Sequence, residues 1–97
     1  MNRLLIVAAL AALPAYGQDS PAARSLAATC AACHGTDGRS ATKEVLGLAG
    51  LPKDHIVSQM KAFRDGTRPA TIMHQIAKGY SDPQIEAMAD YFSRRPR

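Results

Sequence analysis

Cys30-Ala31-Ala32-Cys33-His34 is the stretch that decides how this chain is read, because it sets two thiols and an imidazole within one short segment. The chain holds 2 cysteines in all, too close together to tie distant segments to each other. A thioredoxin-like C-x-x-C would need a βαβ context, and no run of alternating β-branched residues is present. A structural zinc site would need about four ligands, and there is no second cysteine pair. A local disulfide would be strained and would leave His34 without a task. The spacing C-x-x-C-H is that of a c-type haem attachment sequence. Two thiols three positions apart near a helix end can each add to one haem vinyl group as thioethers. The next residue then presents its imidazole to the iron from the same side. His34 is expected to ligate through Nε2, leaving Nδ1 to donate to a backbone carbonyl and fix the ring.

Outward from this stretch, the chain reads as all-α. Asp19 or Ser20 can cap a helix with Pro21 in its first turn, and 22–32 consists mostly of strong helix formers. Gly35, Gly38, Gly47 and Gly50 punctuate a long loop. Asp54 can cap a second helix that runs to about Asp65 and stops at Gly66, with Ile56, Met60 and Phe63 on its apolar face. Pro69 marks 67–71 as a loop. Ser81 and Gln84 form a capping-box pattern for the last helix, whose apolar stripe is Ile85, Met88, Ala89 and Phe92. Three main helices and long glycine-rich loops make a poor core by themselves. They make sense wrapped around one covalently bound haem, so the apoprotein is expected to be largely unfolded.

The 97 residues leave room for one small domain. Met1-Asn2-Arg3, an apolar run over 4–13 and the small residues Ala15 and Gly17 describe a secretory signal peptide over 1–17. The run is about half the ~20 residues that a bilayer-spanning helix needs, so no stable membrane insertion is expected after cleavage. The domain is then 18–97, outside the cytoplasm and in the periplasm. A formal net charge of +4 without basic clusters, and an aromatic content of 5%, argue against nucleic-acid binding. The tail Arg94-Arg95-Pro96-Arg97 reads as a solvated, frayed end.

An electron carrier needs a second axial ligand, and the candidates are Met60, Met73, Met88, His55 and His74. Met60 and Met88 fall on apolar helix stripes, where methionine ordinarily fills core. His55 falls in the first turn of its helix, where a solvent-facing role is the default. Met73 lies between the proline-containing loop and the last helix, on a segment able to reach the opposite haem face. It is the choice for the sixth ligand, with His74 the runner-up. His/Met ligation raises the reduction potential relative to two imidazoles and suits electron transfer better than chemistry on a bound substrate.

The order of C-x-x-C-H, methionine loop and a terminal helix ending Ala89-Asp90-Tyr91-Phe92 resembles a small class I c-type cytochrome from about Leu26 to Phe92. Two stretches, 59–66 (QMKAFRDG) and 70–81 (ATIMHQIAKGYS), are similar to the cytochrome subunit of flavocytochrome c sulfide dehydrogenase. That resemblance implies that Met73 is the axial ligand and that a flavoprotein partner oxidises sulfide and passes electrons to the haem. No catalysis is expected of this chain alone. Related cytochromes commonly carry a proline a dozen residues after the haem histidine, whose carbonyl accepts from the histidine Nδ1. Here that place is held by Leu46, which keeps the carbonyl and loses the fixed backbone angle. Some relatives carry two haem domains, whereas this chain has one C-x-x-C-H. Tyr80 and Tyr91 read as packing residues whose hydroxyls are available to a haem propionate. Lys61, Arg64, Arg68 and Lys78 form a candidate basic rim for an acidic partner. A free electron shuttle is the alternative function. A haem enzyme or gas sensor with a labile sixth position stands further back, with His74 as its one acid–base candidate.

Overall fold

In the computed structural model, which describes residues 19–97, Ser20 caps the first helix and Asp19 does not. The expected signal peptide lies outside the described residues. The Ser20 hydroxyl accepts from the Ala23 N–H at 3.1 Å and opens α1, Pro21–Ala28. Asp19 turns to the far end of the chain, where its carboxylate pairs with Arg94 at 3.1 Å and also binds Arg95. Arg94 and Arg95 are therefore tied down, and the frayed-end reading is corrected for these two. The residue that caps nothing has an ion-pair partner that sequence order hides.

The single helix expected over 22–32 is broken. Thr29 and Cys30 donate their N–H groups to the carbonyls three residues back, and the Thr29 hydroxyl bonds the Leu26 carbonyl at 2.7 Å. Such back-bonding and tightening end a helix. The chain then re-enters a short helix α2, Ala31–His34. A 3₁₀ turn over Thr36–Gly38 follows, with Asp37 at φ 54°, a conformation that aspartate tolerates better than most residues. Gly38 is required here. A Cβ on it would stand 2.8 Å from both the Ala49 nitrogen and the Phe92 ring, so glycine lets the returning loop lie against the last helix. The Gly38 carbonyl accepts from Leu48 and Ala49, closing that loop.

Helix α3 is Lys53–Asp65, preceded by Pro52, and Asp54 sits inside its first turn where a carboxylate still favours the positive helix end. Gly66 ends it in the left-handed conformation at φ 78°. Residues 67–71 are loop as expected. Sequence reading missed α4, Met73–Ala77, which has no side-chain cap and is too short to be announced by periodicity. Helix α5, Asp82–Ser93, begins with the full reciprocal capping box of Ser81 and Gln84.

Helix α1 packs on α5, and α3 packs on α4 and α5. The core joins Ala27, Ile56, Val57 and the α5 stripe of Ile85, Met88, Ala89 and Phe92, with Tyr91 added. No strand occurs among the described residues, and none of their helices is long and apolar enough to cross a membrane. The architecture is all-α, with three longer helices framing a cavity that the loops complete.

Candidate functional site

The C-x-x-C-H segment forms one side of a cavity of about 490 Å³. Cys30, Cys33 and His34 line it from α2 and the turn before it, and Met73 lines it from the first turn of α4. Leu48, Leu51, Ile56, Met60, Phe63 and Phe92 supply apolar wall. The volume falls in the roughly 300–1,000 Å³ range of cofactor sites, and a few polar groups stand among apolar neighbours as in such sites.

The imidazole of His34 is already oriented. Its Nδ1 lies 2.6 Å from the carbonyl oxygen of Leu46, which leaves Nε2 as the ring nitrogen without that tie. The carbonyl at this place thus serves without the proline ring that relatives commonly carry. Neither cysteine is tied up in a disulfide, and Cys30 is half-buried while Cys33 is exposed.

Four of the five candidates for a second ligand meet at this cavity. Met60, Met73, Met88 and His55 line the cavity, whereas His74 does not, and its Nδ1 is buried without a hydrogen-bond partner. The acid–base residue on which a haem enzyme would have relied therefore faces elsewhere. Met88 is 3% exposed and locked into the helical core, as its stripe position suggested.

The basic rim is narrower than the sequence suggests. Arg64 donates to Asp82 at 2.6 Å and lies 3.7 Å from Asp65, so its charge is spent locally. That contact holds the Asp82 carboxyl below its ordinary range, first through the hydrogen bond and then through the arginine charge. Lys61 lies on another face of α3, beside Asp54 and Asp65. Arg68 does line the cavity, stacked on the Phe63 ring at 4.6 Å and bonded to Gln59. Lys78 follows α4 directly. Leu46, Ile72 and Ile76 are 54%, 53% and 38% exposed, and all three also line the cavity. They form an apolar mouth that hydropathy alone could not have placed. Tyr80 and Tyr91 are not free for a propionate. Tyr91 donates to Asp37 at 2.6 Å, and Tyr80 lies 2.7 Å from the hydroxyl of Thr29.

A small, all-helical domain with C-x-x-C-H on the wall of an apolar cavity defines a haem-binding electron-transfer class, and its relatives agree. Cytochrome c-553 of Nitratidesulfovibrio vulgaris is 33% identical over 97% of this chain and 99% of that protein. The thiosulfate dehydrogenase electron acceptor of Thiomonas intermedia is 38% identical over 97% of this chain and 44% of that protein. The cytochrome subunit of sulfide dehydrogenase of Chlorobaculum tepidum is 37% identical over 69% of this chain and 60% of that protein. A solved cytochrome c4 of Acidithiobacillus ferrooxidans superposes with a TM-score of 0.68 at 31% identity, over 80% of this chain and 52% of that one. This chain thus spans about half the length of several of the relatives it matches. No family model matches it.

The chain belongs to the c-type cytochromes. Its fold is the class I cytochrome c fold and its cofactor is a covalently bound haem c. The residues present fit that group: two unpaired thiols at the attachment spacing, an imidazole fixed at Nδ1, and an apolar cavity open at one mouth.

Proposed function

We propose that this chain is a periplasmic single-electron carrier in which Cys30 and Cys33 hold the haem through thioethers and His34 and Met73 are its axial ligands. The observation that carries the reading is the meeting of two distant segments at one cavity. His34 comes from the attachment helix and Met73 from the start of α4. The bound haem supplies an iron that takes up and releases one electron. The protein's part is to orient the imidazole through Leu46, to offer a thioether in place of a second imidazole, and to exclude water with apolar walls. A thioether raises the potential, and a ligand set that stays complete in both oxidation states keeps rearrangement small.

The partner reading follows the relatives. Similarity to the cytochrome subunit of sulfide dehydrogenase supports a role as haem subunit for a flavoprotein that oxidises sulfide. Similarity over nearly the whole chain to a thiosulfate dehydrogenase electron acceptor supports a second reading, a carrier serving another sulfur-oxidising enzyme. Periplasmic placement rests on the signal-peptide pattern of 1–17, with 18–97 as the exported domain.

The test is an oxidised and reduced absorption spectrum of periplasmically expressed protein, beside a Met73→Ala variant. The expected oxidised spectrum is low-spin with the long-wavelength sulfur-to-iron band, which the variant loses. A band that survives the substitution removes Met73 from the iron. A high-spin wild type brings the haem enzyme or sensor reading forward.

A further inference from the structure

We propose that the hydrogen bond between Tyr80 and Thr29 is the clasp that keeps Met73 in place, so that these two are positioning residues for the sixth ligand. The proposal rests on Met73 being that ligand. Helix α4, which Met73 opens, is 5 residues long and has no side-chain cap. A helix this short has little stability of its own, so tertiary contacts must hold it. On one side it has α3, against which Ala77 is fully buried. Ile72 and Ile76 stand partly exposed at the cavity mouth, without a polar tie to the attachment side.

What ties α4 to the attachment side is Tyr80. The chain leaves the helix in a tight turn, with Gly79 donating to Ile76 and Tyr80 to Ala77, so Tyr80 moves with the helix end. Its hydroxyl lies 2.7 Å from Thr29 Oγ1, the residue beside Cys30, across a separation of 51 positions. Among the described residues this is the one hydrogen bond that joins the segment 67–80 to the segment 20–51. Proton accounting gives its direction. The Thr29 hydroxyl has one proton, and it is donated to the Leu26 carbonyl at 2.7 Å, a group that can only accept. Tyr80 must therefore be the donor to Thr29. A chain of tyrosine to threonine to backbone carbonyl thus crosses from the methionine segment to the end of α1, and the ring of Tyr80 lines the cavity between them.

Opening the clasp should let Met73 leave the iron more readily, which an external ligand can report. The experiment titrates oxidised holoprotein with imidazole at neutral pH and follows loss of the sulfur-to-iron band. Net hydrogen-bond strengths correspond to about a fivefold gain in apparent imidazole affinity for Tyr80→Phe and for Thr29→Val. The double variant should gain no more than either single one, and Thr29→Ser, which keeps the hydroxyl, should match wild type. Unchanged affinity in both single variants, additive gains in the double variant, or Thr29→Ser behaving as Thr29→Val would each overturn the clasp while leaving Met73 as ligand. A lowered melting temperature with no change in imidazole affinity would overturn it too, because that is the signature of a purely structural bond. Should Tyr80→Phe fail to fold, the contrast between Thr29→Val and Thr29→Ser carries the test alone. A Met73→Ala protein that keeps the band overturns the ligand reading itself, and the clasp falls with it.

Discussion

The imidazole Nδ1 of His34 lies 2.6 Å from the carbonyl oxygen of Leu46, twelve residues on in a loop that glycine-rich sequence leaves soft. A proline would fix the backbone angle at this place; leucine makes the geometry depend on the loop that carries it. Leu46→Gly should therefore weaken the bond without removing the carbonyl. Donation from Nδ1 makes the imidazole more basic and favours the ferric state, so weakening it raises the reduction potential. A loss of about 0.5 kcal/mol corresponds to a rise on the order of 20 mV for a one-electron couple. Spectroelectrochemical titration of the variant checks both sign and size. A lowered or unchanged potential would show that Leu46 does not govern the histidine.

A second polar link fastens the loop after the attachment helix to the terminal helix. The Tyr91 hydroxyl donates to Asp37 at 2.6 Å, and this bond, then burial, then the aspartate charge hold its pKa above the ordinary 10.0. A folded-state pKa above the unfolded one means the neutral hydroxyl is favoured by folding. The stability it brings is complete below about pH 10 and is lost as pH rises through the folded value. Tyr91→Phe should cost about 1 kcal/mol at neutral pH, and a domain of this size loses roughly 4–8 °C in Tm per kcal/mol. The variant should also show a shallower fall in stability above about pH 10. Thermal melts at neutral and alkaline pH decide it, and equal alkaline slopes in the two proteins would refute the assignment.

These links show which parts of the molecule sequence reading reached. Attachment segment, α3, α5 and the apolar stripe of α5 were legible because spacing, helix period and capping are local signals, and Ser81 with Gln84 is the clearest of them. The break at Thr29 was hidden because it arises from a hydroxyl turning back on its own helix. Helix α4 was hidden by its shortness, and the pairings Asp19–Arg94, Tyr91–Asp37 and Tyr80–Thr29 join positions more than fifty residues apart. The surviving basic rim could be read only once Arg64 was seen to spend its charge on Asp82.

The dependence of the core on its cofactor is open to direct measurement. Eleven apolar residues are buried among the described ones, and five of them are alanines, so the helices enclose little apolar volume without a haem between them. A Cys30→Ser/Cys33→Ser variant should lack covalent haem and lose most of its helical circular dichroism and its cooperative melt. A folded, cooperatively melting variant would show that α1, α3 and α5 suffice by themselves.

Electron exchange at the cavity mouth should be governed more by apolar contact than by charge. Leu46, Ile72 and Ile76 are exposed there, while of the four cations first read as a rim only Arg68 lines the cavity, with Lys78 following at the end of α4. Two exposed charges are screened within a Debye length of roughly 8 Å at physiological ionic strength, so steering is modest and salt-sensitive. Oxidation of the reduced protein by the anion ferricyanide should slow a few-fold as salt rises from low to physiological, and oxidation by the cation tris(phenanthroline)cobalt(III) should speed up or stay level. Arg68→Gln should flatten the ferricyanide dependence, whereas Lys61→Gln, on another face of α3, should leave it nearly as it was. Stopped-flow rates over an ionic-strength series provide the measurement. A steep dependence that Lys61→Gln removes would return the rim to α3 and overturn the assignment of the mouth.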